Sequence, residues 1–256
     1  MTDALWLLLG AGAFFAGFVD AVVGGGGLIQ IPLLFSSLPQ HAPATLFGTN
    51  KIASIVGTAS AAVQYARRVR IDFRIVLPGA AAALIGAWFG AKSVALLDPT
   101  LVRPLVLSLL IAVAIYTYLR PNFGTDAGAP LPLATTRLRI AVIGVTIGFY
   151  DGFFGPGTGS FFIFLFIRAL HMDFLQASAS AKILNFSTNL AAISFFAGTG
   201  AILWKVGLLM AACNLAGAVT GSSMALKHGT RFVRRFFLIV VSALIAKMAW
   251  DMISTH

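Results

Sequence analysis

The chain has 256 residues, of which 59% are hydrophobic and only 10% charged, with a formal net charge of +10. Because soluble domains carry about 25% charged residues, this composition excludes a soluble globular protein and predicts a polytopic membrane protein. The basic excess is typical of the cytoplasmic loops of such proteins. No basic run is long enough to predict nucleic-acid binding, and the single Cys213 excludes an intrachain disulfide.

Apolar segments follow each other along the chain, five on each side of a linker at residues 121–136. In the first half they are 5–23, 28–38, 44–65, 75–97 and 101–119. In the second half they are 138–154, 160–170, 177–197, 206–226 and 236–253. A membrane span takes about 20 residues, so each of the two short segments predicts a half-helix or a steeply packed helix, and the sequence leaves open whether they cross the membrane. We therefore predict an all-α fold with a first transmembrane repeat (1–120), a linker (121–136) and a second repeat (137–256).

The two halves are copies of one unit. Matching stretches begin at Gly17 and Gly148, and the offset of 148 − 17 = 131 residues also places Lys51 on Lys182 without a gap. Each copy carries an aspartate, a glycine cluster and a lysine inside apolar sequence. Because each unit has an odd number of segments, the second crosses the membrane in the opposite sense, which predicts inverted-topology repeats with glycine-broken helices.

The basic loops favour the same orientation. Loop 67–74 carries four basic residues and its equivalent, 198–205, carries one, whereas loop 92–103 carries two and its equivalent, 227–235, carries four. Since basic loops face the cytoplasm, equivalent loops are expected on opposite sides of the membrane. On the same count the linker is cytoplasmic and both termini lie outside.

The glycine clusters are candidate parts of a binding site. They interrupt apolar sequence at membrane depth. Irregular backbone is tolerated there only where it is buried in protein or lines a water-filled cavity. A helix that starts after such a break presents free N–H groups and the positive end of its dipole, which favours an anion. The candidates are Gly25, Gly26, Gly27, Gly157, Thr158 and Gly159. The alternative is a tight turn in a helical hairpin, with glycine serving only packing.

Lys51 and Lys182 are the strongest single signal, because a lysine at the centre of a membrane helix costs about 2.5–3.5 kcal/mol on insertion scales. Spacings of three and four residues put each lysine on one side of its helix with polar neighbours. These neighbours are Ser54 and Thr58 in the first copy, where Asn50 also directly precedes the lysine, and Asn185 and Asn189 in the second. The stripes predict an anion-binding site; the alternative is a structural salt bridge from each lysine to an aspartate.

Asp20 and Asp151 complete the candidate set. An intramembrane carboxylate pairs with a lysine, caps the following helix, or takes up a proton that couples transport, and the sequence leaves these roles open. The sequence contains no metal-ligand cluster, no phosphate-binding loop ending in Gly-Lys-Ser/Thr and no Ser-His-Asp order. We therefore predict no enzyme activity, no metal and no cofactor.

These motifs resemble the sulfite exporter TauE/SafE family of bacterial and archaeal transporters. The resemblance rests on 17–20 with 24–27, on Gly-Thr-Asn-Lys at 48–51, and on second copies at 148–159 and 180–182, and it covers essentially the whole chain. The second Gly-Thr-Asn-Lys has become Ala-Ser-Ala-Lys at 179–182, which keeps only the lysine. The resemblance implies transport of small anions such as sulfite, thiosulfate or organosulfonates, driven by an ion gradient.

We therefore expect a secondary transporter, in the first instance an exporter, of small anions such as sulfite or organosulfur compounds. It would work by alternating access in the bacterial or archaeal cytoplasmic (inner) membrane, with the lipid bilayer and the anion as its partners and protons as a candidate coupling ion. A passive anion channel, a non-transporting membrane assembly protein and a cation site built on the aspartates stay open as alternatives.

Overall fold

The computed structural model describes residues 3–96 and 131–254, together with the single positions 111, 115, 118, 119, 124, 127 and 129. The regular structure of the two long ranges is helical: α1 (Asp3–Val23), α2 (Gly27–Ser37), α3 (Pro43–Ala66), α4 (Phe73–Lys92), a 3₁₀ turn (Ser93–Leu96), α5 (Leu133–Phe153), α6 (Thr158–Leu170), α7 (Phe174–Gly198) and α8 (Trp204–Ser254). Most of the predicted segment 101–119 and seven of the sixteen residues of the linker 121–136 lie outside the described residues.

The helices fall into three classes of length and polarity. Within the described ranges, α1, α4, α5 and residues 204–243 of α8 are long and apolar enough to cross a membrane. α3 and α7 have 24 and 25 residues but carry buried polar side chains. α2 and α6, with 11 and 13 residues, are half-length segments, since a helix rises about 1.5 Å per residue and the hydrocarbon core is about 30 Å thick. The prediction of an all-α polytopic membrane fold is confirmed.

The predicted basic loop at 227–235 differs from the structure, because it is helical apart from Gly229 (φ 71°, ψ −167°). The chain turns back at this residue. Phe18 is in close contact with Gly221 before the break, and its ring lies 5.6 Å from that of Phe236 after it. One glycine in the left-handed region is therefore enough to reverse the chain, and the basic side chains sit on helical turns to either side.

α4 and α5 are packed together through glycines. A Cβ added at Gly86 would lie 2.3 Å from the carbonyl oxygen of Val145, and one added at Gly90 would lie 2.0 Å from that of Phe149. Such close backbone approach is typical of small residues spaced four apart in membrane helices. From the first of these contacts to the second, α4 and α5 both advance by four residues. The two helices therefore run in the same direction.

The same contact is made a second time by α1 and α8. A Cβ added at Gly217 would lie 1.9 Å from the carbonyl oxygen of Phe14, and one added at Gly221 would lie 2.4 Å from that of Phe18. Each position lies 131 residues from its counterpart in the other contact (86 + 131 = 217; 14 + 131 = 145). The two halves therefore pack through equivalent surfaces with their roles exchanged.

α3 and α7 cross at the centre in opposite directions. The start of α3 meets the end of α7, where a Cβ added at Gly48 would lie 2.9 Å from the Cβ of Phe196. The end of α3 and the start of α7 meet at the end of α1, where Tyr65 and Ser178 donate hydrogen bonds to carbonyls of its last turn. These central helices occupy equivalent places in the two halves (43 + 131 = 174).

The apolar core lies between the halves and the outer surface is itself apolar. Phe162 and Phe166 of α6 are fully buried, together with Phe174 and Val22. Large apolar side chains such as Leu7 and Leu138 point outward, with 73% and 67% of their surface exposed. An outer surface of this kind suits lipid rather than water. The polar residues that remain inside are concentrated on α3 and α7.

Candidate functional site

A polar cavity lies where α3 and α7 cross. It has a volume of about 30 Å³ and both halves contribute to it. The lining residues are Asp20, Gly24, Gly27, Asn50, Lys51, Ser54, Thr58, Asp151, Gly155, Thr158, Gly159, Asn185 and Asn189. Those from α3 and α7 belong to the middle turns of helices that are 24 and 25 residues long. The cavity is therefore central along the membrane-crossing direction.

The structure brings together most of the predicted site residues, but not all. Lys182, Gly25, Gly26 and Gly157 are buried and do not line the cavity. Gly24 and Gly155 do line it and were not among the predicted residues. Their signal was present in the sequence, since both belong to the glycine clusters. Within the described residues no group of three His, Cys, Asp or Glu side chains is arranged to hold a metal ion.

Two buried ion pairs cross from one half to the other. Lys51 Nζ lies 2.7 Å from Asp151 Oδ2, and Lys182 Nζ lies 2.9 Å from Asp20 Oδ2. The residues of the second pair stand 131 positions from those of the first (51 + 131 = 182; 20 + 131 = 151). Removing one partner of a buried pair costs about 3–5 kcal/mol, because it leaves an uncompensated charge. The pairs therefore hold the halves in register, and the charges of the site are balanced.

The glycine breaks place backbone, not side chains, at the wall of the cavity. Gly24 and Gly155 occupy equivalent positions (24 + 131 = 155) and both have positive φ, of 77° and 95°, which residues with a side chain rarely adopt. The breaks also touch each other, since a Cβ added at Gly24 would lie 2.3 Å from the carbonyl carbon of Gly159. Any larger residue would separate the two halves at this point.

α6 starts at the cavity. Its first residue, Thr158, and the following Gly159 both line the wall. The first N–H groups of a helix have no carbonyl partner within the helix, and the positive end of the helix dipole lies there. The start of α6 therefore adds partial positive charge to the side of the cavity that holds Lys51.

The end of α1 is closed by side chains of the other helices. Each of its last four carbonyl oxygens accepts a hydrogen bond: Asp20 from Lys182, Ala21 from Tyr65, Val22 from Ser178, and Val23 from Ser160. A helix that ends inside a membrane protein needs such donors, because the last carbonyls have no intrahelical partner. The residues equivalent to these three hydroxyl donors are Phe196, Phe47 and Ile29, which cannot donate. The end of α5 therefore lacks the matching cap.

Besides the two ion pairs, the structure contains a buried polar contact that was not predicted from the sequence. Asn214 of α8 donates from Nδ2 to Gln30 Oε1 of α2 at 3.1 Å, and both residues are almost fully buried. The equivalent positions are Ala83 and Phe161 (214 − 131 = 83; 30 + 131 = 161), so this contact between the halves has no counterpart at the equivalent place. A glutamine inside a half-helix was the available signal, since polar residues at membrane depth are costly.

Comparison with known proteins agrees with these features. The family model of the sulfite exporter TauE/SafE matches residues 9–248. A probable membrane transporter protein, ORF9, of Sinorhizobium sp. is 38% identical over 242 residues, which cover 93% of this chain and 90% of the relative. A probable membrane transporter protein of Haemophilus influenzae is 34% identical, with 97% and 96% covered. The probable membrane transporter protein YfcA of Escherichia coli K12 is 32% identical, with 93% and 87% covered.

No solved structure matches this chain. The family match and the relatives nevertheless extend over nearly the whole chain, and they agree with the apolar, all-helical fold. The resemblance seen in the glycine and lysine motifs is confirmed. The chain is a multi-pass membrane protein that belongs to the sulfite exporter TauE/SafE family.

Proposed function

We propose that the protein is a secondary transporter of small anions, such as sulfite or organosulfur compounds, and that it works by alternating access. The observation that carries the proposal is the Lys51 ammonium, which lies in a polar cavity at the middle of the membrane-crossing helices, between the two halves. A buried membrane lysine is costly, and such residues mark substrate or ion pathways. Relatives named as membrane transporters support a transport role over an enzymatic one.

The lining suits a small oxyanion. Beside Lys51 it offers the side-chain amides of Asn50, Asn185 and Asn189, which can donate hydrogen bonds to oxygen atoms. The cavity has a volume of about 30 Å³, far below the roughly 300–1,000 Å³ of ordinary small-molecule sites. We therefore favour an anion of few heavy atoms over a larger organic substrate.

The arrangement of the halves supports alternating access. Two features favour inverted repeats: the opposite directions of α3 and α7, and the exchanged glycine contacts of α1 with α8 and of α4 with α5. In transporters of this architecture the substrate site lies near the bilayer midplane at the repeat interface, and one repeat rocks against the other around it. The cavity of this protein has that location.

Charge supports a definite orientation in the bacterial or archaeal cytoplasmic membrane. The directions of α3, α4, α5, α7 and α8 bring one set of basic residues to one end of the molecule: Arg67, Arg68, Arg70, Arg74, Arg137, Arg139, Arg168, Lys227, Arg231, Arg234 and Arg235. Among the described residues, the opposite end carries Lys92, Lys205 and Lys247. The positive-inside rule then places the basic end and the linker in the cytoplasm. Both termini would lie outside, because α1 begins at the other end and the chain turns back at Gly229.

Protons are the coupling ion we propose. Asp20 and Asp151 line the cavity, and acidic side chains inside a membrane protein are typical of proton relays in transporters. In proteoliposomes the anion flux should then saturate with substrate and respond to an imposed pH gradient. Flux that rises linearly with concentration and ignores the gradient would favour a passive channel.

Binding of the anion is the first test. The purified protein is heated with sulfite, thiosulfate, sulfoacetate, sulfate, short carboxylates or divalent cations, and its melting temperature is measured. A ligand at a hundred times its Kd stabilises the native state by about 2.7 kcal/mol. We expect a sulfur oxyanion to raise the melting temperature, and Lys51→Gln to abolish this shift.

Lys92→Gln is the matched control, because Lys92 is exposed at the end of α4, far along the helix from the cavity, and should leave the shift intact. A shift given by a divalent cation and removed by Asp20→Asn or Asp151→Asn would contradict the anion proposal. Absence of both ligand shift and flux would favour a non-transporting assembly protein.

A further inference from the structure

The two ion pairs are equivalent in sequence but lie in different surroundings. Lys51 and Asp151 both line the cavity, whereas Lys182 does not. The Lys182 side chain is 0% exposed and sits behind Asp20, whose side chain is 19% exposed. An anion in the cavity can therefore meet the ammonium of Lys51 directly, while the ammonium of Lys182 is shielded by a carboxylate.

Hydrogen bonding separates the two lysines further. An ammonium group has three N–H donors. Lys182 donates to both the carbonyl and the carboxylate oxygen of Asp20. Within the described residues Lys51 makes one hydrogen bond, to Asp151 Oδ2. Lys51 therefore has N–H donors left for a ligand. The residue beside its ammonium group is a glycine, since a Cβ added at Gly155 would lie 3.2 Å from Lys51 Nζ.

The ends of α1 and α5 differ in how many hydrogen-bond donors the neighbouring side chains supply. Lys182 binds the end of α1, where the hydroxyl groups of Tyr65, Ser178 and Ser160 fix the neighbouring carbonyls. Lys51 binds near the end of α5, where the equivalent positions hold side chains that cannot donate. One lysine is part of a closed hydrogen-bonded cap, and the other is attached through a single carboxylate.

We propose that Lys51–Asp151 is the exchangeable pair and Lys182–Asp20 the fixed one. In this assignment, which rests on the proposed function, the substrate anion takes the place of the Asp151 carboxylate on Lys51. Lys182 stays bound to Asp20 and keeps the end of α1 attached to α7. The site then binds one anion, on the side of the cavity formed by α3, α5 and the start of α6.

The exchange makes Asp151 an internal competitor of the substrate. Two anions compete for one ammonium group, so that neutralising the internal one raises the fraction of protein that is ready to bind. If the carboxylate occupies Lys51 for about nine-tenths of the time, Asp151→Asn should tighten anion binding by about tenfold. Asp20 does not compete with the substrate in this assignment. Asp20→Asn should therefore lower the melting temperature without tightening anion binding.

The first measurement is the Kd of the purified, full-length protein for sulfite and thiosulfate. It is compared among wild type, Asp151→Asn and Asp20→Asn. Tightening in the first variant and none in the second supports the proposal. Equal changes in both variants, or tightening in Asp20→Asn alone, would overturn it. If neither anion binds any of the three proteins, both this assignment and the proposed function are refuted.

A second measurement requires no ligand, and its variants remove both charges of an ion pair together. In a Cys213→Ala background, the charge-balanced variants Lys51→Cys/Asp151→Asn and Lys182→Cys/Asp20→Asn are exposed to a small, anionic thiol reagent such as a sulfonatoethyl thiosulfonate. The Lys51→Cys variant should react at least about tenfold faster, since thiol reactivity follows access and positive surroundings. Similar rates, or faster reaction at position 182, would contradict the assignment even if anion transport is established.

Discussion

Tyr65 shows how a single side chain closes the end of a helix inside the membrane. It is completely buried and its hydroxyl donates to the carbonyl oxygen of Ala21 at 2.9 Å. We predict that Tyr65→Phe lowers the free energy of unfolding by about 1–3 kcal/mol, because that carbonyl is left buried without a donor. The melting temperature in detergent measures the effect. Tyr118→Phe is the control, since Tyr118 is 75% exposed, and a loss of equal size there would contradict the reason given.

The lysines were predictable from the sequence, and a salt bridge from each to an aspartate was one of the alternatives, but which aspartate each lysine contacts was not predictable. Position within an apolar segment was enough to single out Lys51 and Lys182 as buried and costly. Whether each lysine pairs with the aspartate of its own half or of the other depends on how the halves pack, and residue spacing contains no record of that. The exchanged pairing and the shielding of Lys182 therefore follow from tertiary structure alone.

At the scale of the helices, glycine controls how closely two backbones approach. Gly90 of α4 has no room for a side chain against the carbonyl oxygen of Phe149. Gly90→Ala should therefore destabilise the protein by about 1–3 kcal/mol through overpacking. Gly198→Ala, at the end of α7, is the matched control: nothing lies within 4 Å of an added Cβ, and the change should stay within about 0.5 kcal/mol. Equal melting temperatures of both variants would refute the packing argument.

Helix existence was easier to predict than helix ends. The segments 28–38 and 160–170 were evident as apolar runs of about eleven residues, but the sequence left open whether they cross the hydrocarbon core of about 30 Å. The turn at Gly229 was expected as a loop of several basic residues, and the structure makes it with one residue of positive φ. Sequence shows that a chain must reverse between two spans, but the number of residues used depends on local backbone geometry and on contacts such as that of Phe18 with Phe236.

At the scale of the whole molecule, the two halves enclose one site without being identical around it. Equivalent helices supply both ion pairs and both glycine breaks, and under the proposed alternating access this equivalence would give two arrangements of similar energy. The cap on α1 and the Gln30–Asn214 contact have no counterpart at the equivalent positions. Such one-sided contacts favour one arrangement over the other, so that exchange of the halves would be biased rather than symmetric.

The proposed inversion of the halves is tested by two exactly equivalent positions, Arg74 and Lys205 (74 + 131 = 205), both exposed. In a Cys213→Ala background, each is changed to cysteine and treated in spheroplasts with a membrane-impermeant maleimide. Inverted repeats predict labelling of Lys205→Cys from outside and of Arg74→Cys only after permeabilisation, because Arg74 belongs to the basic end. Labelling of both from the same side would mean that the halves cross the membrane in the same sense. In that case, the opposite directions of α3 and α7 could not reflect inverted topology.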